Sequence, residues 1–251
     1  MIDLRGKRAL VTGGSRGIGA ATAMLLAECG ADVGIGYRTR AEEAGRVVAA
    51  MAASGVRAFA HQAELSTREG ADSLFQRAER ELGGLDVFVG NAGIWPAEEA
   101  ALAEMDDERW RRTMAENVDA IFFTTRAAAR MVADGGRIVL VSSTAGQRGE
   151  ALHADYAASK GAMISLVKSV AVELAPRQVT VNSVAPGWVD TDMAAAPYAD
   201  GGLARIAATI PLGRVASPRD VAGPIVFLCS ELARHVTGEI LNVNGGSVLC
   251  G

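Results

Sequence analysis

Lys7-Arg8-Ala9-Leu10-Val11-Thr12-Gly13-Gly14-Ser15-Arg16-Gly17-Ile18-Gly19 runs from a strand-like segment through a glycine-rich turn into an Ala-rich helical one. Glycines at 13, 17 and 19 let the chain turn sharply and bring backbone N–H groups close to a pyrophosphate. The last of them lets the helix pack against the strand. The start of that helix then adds partial positive charge for an anion. A glycine-rich turn by itself is also what a tight strand-to-helix connection with no ligand looks like. Here a strand precedes it and a helix follows, which is the arrangement a nucleotide needs.

The alternation continues along the chain. Strand-like runs fall near 7–12, 31–37, 56–61, 85–89, 136–142, 178–184 and 239–243. Amphipathic segments fall near 17–29, 40–54, 67–83, 106–132, 155–175 and 217–231. Strands alternating with helices over the whole length predict βαβ units. The expected fold is α/β: a doubly wound Rossmann fold with a seven-stranded, mostly parallel sheet and helices on both faces. The pattern reads as one domain over 1–251, with one long irregular region at about 186–216. Such a loop in an α/β domain is usually functional, and a substrate loop is expected at about 188–214.

Composition narrows the classes. The 251 residues are 49% hydrophobic, enough for a large core. The net charge of −4 and the 5% aromatic content argue against nucleic acid and anionic membrane as partners. Cys29, Cys229 and Cys250 form no CxxC pair, and a reducing cytoplasm suits them. His61, His153 and His235 lack metal-ligand spacing, so no metal is expected. The start of the chain leads straight into a strand, with no apolar signal core, and no run is long enough to span a bilayer.

Where an NAD-specific site places an acidic residue on the ribose 2′-hydroxyl, this chain has Tyr37 followed by Arg38, with Arg40 beyond and Arg16 inside the glycine loop. Arginines there suit a 2′-phosphate, so NADP(H) is preferred, with NAD(H) as the lesser alternative. The bland reading makes Arg38 and Arg40 solvated residues at a helix start. Further on, Tyr156-Ala157-Ala158-Ser159-Lys160 puts Tyr and Lys on one helix face. An ammonium near a phenol stabilises the phenolate and lowers the pKa from about 10. Ser143, at the end of the fifth strand-like run, has a hydroxyl suited to a substrate carbonyl. Alone it would read as a turn serine.

Thr12 to Gly19, Asn91-Ala92-Gly93, Asn117, Ser143, Tyr156 with Lys160, and Pro186-Gly187 together resemble the classical short-chain dehydrogenase/reductase pattern, in order and spacing. The likeness runs from about residue 5 to the end and looks nearest to 3-oxoacyl-thioester (acyl-carrier-protein) reductase-like members. It implies hydride transfer between NADP(H) and a carbonyl or alcohol. Ser143 would orient the carbonyl and Tyr156 protonate it. Lys160 would lower the Tyr pKa and hold the nicotinamide ribose, and Asn117 would hold a relaying water. The cofactor would lie against Gly13, Ser15, Arg16, Gly17, Ile18, Gly19, Tyr37, Arg38, Glu64, Leu65, Asn91, Ala92, Gly93, Pro186 and Gly187. Val189 and Thr191 would hold the carboxamide. Two departures stand out: Glu64 where the family often has Asp, and Gly90 where it often has a first Asn.

The substrate is the least legible part. The resemblance points to Trp95, Ser143, Gln147, Arg148, His153 and Trp188, with an apolar or aromatic ketone suited to the two Trp rings. An acyl carrier protein is a weaker expectation, because Asp134 stands at one of its two usual basic positions and Arg177 at the other. A non-catalytic NADP(H)-binding sensor or scaffold on the same fold is the alternative; the intact Asn117, Ser143, Tyr156 and Lys160 set argues against it. The resemblance also implies a homotetramer, or a homodimer, formed through the long helices near 106–132 and 155–175 and through the last helix and strand.

Overall fold

The computed structural model describes residues 2–249, so Cys250 lies outside the described residues. Its strands are β1 (Arg8–Thr12), β2 (Asp32–Tyr37), β3 (Ala58–Gln62), β4 (Leu85–Gly90), β5 (Val132–Val141), β6 (Thr180–Pro186) and β7 (Ile240–Val243). They form one sheet in the order β3-β2-β1-β4-β5-β6-β7, and every pairing is parallel. The register is continuous across the centre, with Val11 opposite both Ile35 and Val89.

Both faces of this sheet are covered, which is why the central strands read as nearly unbroken apolar runs. On one face Ala9, Val11, Val33, Ile35, Val87, Val89 and Val139 pack against α1 (Gly17–Glu28), α2 (Ala41–Ala52) and α10 (Pro218–Leu228). On the other, Leu10, Phe88, Ile138 and Leu140 pack against α3 (Arg68–Leu82), α5 (Ala120–Met131) and α7 (Ala154–Leu174). Leu10 and Phe88 are fully buried, and each such side chain is worth about 1.5–3 kcal/mol. Local chemistry sets the helix ends. Thr67 accepts the Gly70 N–H at the start of α3, and Gly83 ends it in the left-handed conformation. Ser217 and Asp220 form a capping box on α10, with Pro218 first in the helix.

Two expected elements differ. The helix near 106–132 is α4 (Asp107–Met114), a π turn (Ala115–Asp119) and then α5. Strand β5 begins at Val132, four residues before the expected start. Its pairing with β4 jumps from Leu85↔Val132 to Val87↔Arg137, with Gly135 at φ +77° in the shift. The region after β6 holds α8 (Ala195–Tyr198) and α9 (Gly202–Ala208). No helix among the described residues is long and apolar enough to cross a membrane.

The strand order reverses direction between β1 and β4. Connections leave to opposite sides there and open a crevice beyond the carboxyl ends of the strands. The loop after β1, the loop after β4, and those after β5 and β6 all end at this crevice.

Candidate active site

The crevice holds two adjoining clefts. The first, of about 1,090 Å³, is lined by the glycine loop, the ends of β2 and β3, Asn91 to Ile94, and Glu116. The second, of about 880 Å³, contains Ser143, Tyr156, Lys160, Trp95, Trp188 and Met193. Ile18, Asn91, Gly93, Thr191 and Met193 border both.

The glycine loop is held by side chains from neighbouring loops. Thr12 Oγ1 accepts the backbone N–H groups of Asn91 (2.9 Å) and Ala92 (3.0 Å). Asn91 Nδ2 donates to the carbonyls of Thr12 (3.0 Å) and Gly13 (3.3 Å). A Cβ on Gly19 would stand 2.2 Å from the Gly13 carbonyl oxygen and 2.6 Å from Asn91 Nδ2, so only glycine permits this packing. At the start of α1, Arg16 is extended and caps nothing with its side chain, and the first turn has no acid. The first N–H groups of a twelve-residue helix thus face the cleft beside backbone that any Cβ would block, which fits a pyrophosphate.

At the outer end of the first cleft lie Tyr37, Arg38, Arg40, Glu64 and Leu65. The arginines expected to await a 2′-phosphate already have partners. Arg38 pairs with Glu116 and lies 3.6 Å from Glu64; Arg40 pairs with Glu43 at 3.3 Å; Arg16 pairs with Asp192 at 3.0 Å. Glu116 and Asp192 escaped the sequence reading because they lie 78 and 176 residues from their partners.

In the second cleft, α7 presents Tyr156 and Lys160 one turn apart. Ser142 Oγ donates to the Lys160 carbonyl (2.8 Å). A Cβ on Gly146 would fall 2.5 Å from the Lys160 carbonyl carbon, so the short helix α6 (Ala145–Arg148) that follows Ser143 lies directly on α7. Asn117 sits in the π turn, fully buried. Its Oδ1 accepts the Ile94 N–H (2.7 Å), and its Nδ2 donates to the Ile94 carbonyl (2.9 Å) and Ser159 Oγ (3.0 Å). The side chain therefore braces the strand end beside Lys160.

Electrostatically the pair differs from the sequence expectation. Burial pushes the Tyr156 phenol up to about 12; the Ser143 hydroxyl, hydrogen-bonded to it, pulls the other way, and the Glu150 carboxylate adds to the rise. Lys160 points its Nζ at the Val141 carbonyl (3.0 Å) and lies 5.7 Å from the Tyr156 ring centre. Burial pulls its ammonium down to about 8. The phenol is thus held protonated at neutral pH.

Trp95 and Trp188 line the second cleft as an edge-to-face pair 6.2 Å apart, and Tyr198 stands 5.9 Å beyond Trp188. Trp95 is fixed by its Nε1 donating to Glu150 (3.1 Å) and by His153 stacked on it at 4.7 Å. His153 lies outside the cleft lining, behind Trp95, and Gln147 likewise faces away, with its Nε2 on Asn242 of β7 (2.7 Å). Tyr198 and Glu150 were missed, since nothing local in the sequence marks them. Arg177, expected at a carrier-protein position, is engaged by Asp134 (2.8 Å) and by the carbonyls of Ala129 (2.8 Å) and Val132.

A buried ion pair involves Asp155, the residue just before Tyr156. Arg109 of α4 grips Asp155 with Nε (3.1 Å) and Nη2 (3.3 Å), and Thr113 Oγ1 donates to the same carboxylate (2.8 Å). Arg109 also donates to the carbonyls of Glu98 (2.5 Å) and Leu152 (3.4 Å). One guanidinium thereby ties the loop beyond Trp95, the loop beyond Glu150, and the residue before Tyr156.

Residues 13–247 match the model of a family described as enoyl-(acyl carrier protein) reductase. The chain is 40% identical to the 3-oxoacyl-[acyl-carrier-protein] reductase FabG of Vibrio cholerae, covering 98% of each protein. Among solved structures, a short-chain dehydrogenase from Burkholderia cenocepacia in complex with NADP is 40% identical. It superposes with a TM-score of 0.90 over 97% of this chain and 98% of that one. A blue fluorescent protein from a metagenomic library, in complex with NADPH, is 38% identical with a TM-score of 0.92 over 98% of this chain and 100% of that one.

Proposed function

Since the chain belongs to the short-chain dehydrogenase/reductase family, we propose that it reduces a ketone to a secondary alcohol with NADP(H), Tyr156 being the proton donor. The observation that carries this reading is the convergence of Ser143, Tyr156 and Lys160 on a cleft continuous with the glycine cradle. The NADP and NADPH complexes of two similar proteins support the cofactor. When bound, the dinucleotide supplies the hydride. Gly13, Ser15 and the first turn of α1 would hold its pyrophosphate; Lys160, Val189 and Thr191 would hold its nicotinamide end.

The chain's own residues do the rest. The Ser143 hydroxyl orients the carbonyl and stabilises charge growing on its oxygen. Tyr156, protonated at neutral pH, donates its proton to that oxygen, which becomes the alcohol. A phenol held near 12 is suited to act as the acid of the reduction, and it serves as the base of the reverse reaction without changing the equilibrium between ketone and alcohol. Lys160 stands one turn from the phenol, ready to offset its charge as the proton leaves. The braced Asn117 keeps the end of β4 and Lys160 in register, and water beside it would return the proton.

Trp95, Trp188 and Met193 favour a ketone with an apolar, ring-sized body. A 3-oxoacyl thioester is the second reading, favoured by the likeness to the Vibrio cholerae reductase; delivery on a carrier protein is weakened by the engaged Arg177. Assembly as a homotetramer or homodimer through α5 and α7 is consistent with Phe122 and Val172 being exposed on them.

The test is NADPH absorbance with a panel of aryl and cyclic ketones, α-diketones and acetoacetyl thioesters. Turnover of ring ketones above the thioesters is expected. Tight NADPH binding with no turnover of any carbonyl, and no oxidation of matching alcohols with NADP⁺, would sink the reading in favour of a sensor.

A further inference from the structure

We infer that Glu116 sets cofactor preference at the adenosine end of the cleft: it holds the arginine that a 2′-phosphate would use, so NADP(H) binds by displacing a carboxylate and NAD(H) does not. The inference rests on the dinucleotide reading above and concerns only how the chain tells the two cofactors apart.

Arg38 stands just past β2, where the second strand delivers a side chain to the adenosine ribose. Its Nη1 donates to Glu116, and Glu64 lies 3.6 Å from the same nitrogen. The Glu116 side chain is 22% exposed, so it is partly shielded, while Arg38 is 44% exposed. The neighbouring cations offer no spare charge: Arg40 is met by Glu43 and Arg16 by Asp192. Three guanidinium groups are thus met by four carboxylates.

A 2′-phosphate brings close to two negative charges into this cluster. A guanidinium fork has donors for two partners, yet phosphate and Glu116 repel each other at contact distance, so they are alternatives at Arg38. A 2′-hydroxyl behaves oppositely. It donates a hydrogen bond, and a carboxylate is the acceptor that NAD-selective sites use. Glu116 and Glu64 provide that acceptor without breaking the contact to Arg38. The same cluster therefore serves either cofactor, and Glu116 narrows the gap between them. Its neighbour Asn117 shares the π turn, which fixes where the carboxylate stands.

The test is titration calorimetry with NADPH, NADH, 2′,5′-ADP and 5′-AMP on the native chain, Glu116→Gln and Arg38→Ala. Glutamine keeps the size and an acceptor and removes the charge. A half-exposed ion pair is worth up to about fivefold in affinity, and relief of repulsion adds to it. Glu116→Gln should therefore tighten NADPH and 2′,5′-ADP by about three- to tenfold and leave NADH and 5′-AMP within about twofold. Arg38→Ala should weaken NADPH by about tenfold or more and bring the two dinucleotides level. Native binding of NADPH with a Glu116→Gln ratio unchanged within twofold overturns the inference and leaves the proposed function standing. A native chain that binds neither dinucleotide overturns both.

Discussion

Replacing Asp155 with Ala would strand the Arg109 guanidinium. The carboxylate is fully buried, and Arg109 is 9% exposed, so neither charge has water to fall back on. The substitution removes two charge-assisted bonds from Arg109 and the bond from Thr113. Breaking one partner of a buried pair costs about 3–5 kcal/mol. Arg109 keeps its bonds to the Glu98 and Leu152 carbonyls, which places the expected loss near the lower figure, about 3 kcal/mol. For a chain of this length that lowers Tm by about 6–12 °C. Circular dichroism on heating and in urea measures it. The double variant Arg109→Met with Asp155→Leu removes both charges and should recover most of the stability. A loss under about 1 kcal/mol in Asp155→Ala, or a double variant no better than the single, would refute the reasoning. Acid unfolding gives a second check. Burial pushes the Asp155 carboxyl up, but hydrogen bonds from Arg109, Thr113 and the Tyr156 backbone together leave it below the ordinary value. The stability it contributes is therefore present above about pH 4 and lost as pH falls through its folded value, and Asp155→Ala should flatten that limb.

Three further expectations can be measured with the same preparation. Lys160 is held at about 8 against an ordinary 10.5, so the reductive kcat/KM should fall as pH rises through about 8, and Lys160→Met should lack that limb. The linked stability runs the other way: the unfolded chain keeps this proton longer, so this group's contribution rises between about pH 8 and 10.5. Gly19→Ala drives a Cβ onto the Gly13 carbonyl at 2.2 Å; fluorescence titration should show NADPH binding weakened by about tenfold or more. Trp95→Ala removes a cleft wall fixed by Glu150 and His153, and KM for ring ketones should rise about tenfold with kcat changed far less.

What was legible in the sequence was what repeats locally. Alternating apolar strands and Ala-rich helices gave the seven strands and their helices within a few residues, because a parallel sheet covered on both faces leaves few polar positions to confuse the pattern. The strand order came from the structure, and the all-parallel pairing is slightly simpler than the mostly parallel sheet expected. The π turn at Ala115–Asp119 was not legible, since one extra residue in a helix leaves the apolar period almost intact. The early start of β5 was hidden by Ala133-Asp134-Gly135-Gly136, a turn-like string that carries the register shift, with Gly135 in the left-handed conformation. At the site, Gly13, Gly19, Ser143, Tyr156 and Lys160 could be named because their spacing carries the signal. The carboxylates that pin Arg16 and Arg38, and the Glu150 and His153 that fix Trp95, are partners across folded loops. Likewise, nothing local in the sequence marks Arg109, whose partner Asp155 lies 46 residues away on α7.

The central claim about the chemistry is that the Tyr156 hydroxyl delivers the proton. Tyr156→Phe keeps the ring and removes only that oxygen, so NADPH affinity by fluorescence titration and kcat by NADPH absorbance separate binding from chemistry. With the best ketone from the panel, kcat should fall about 10²- to 10⁴-fold while the NADPH Kd stays within about twofold. A Phe variant that retains kcat within tenfold of the native chain would contradict the account.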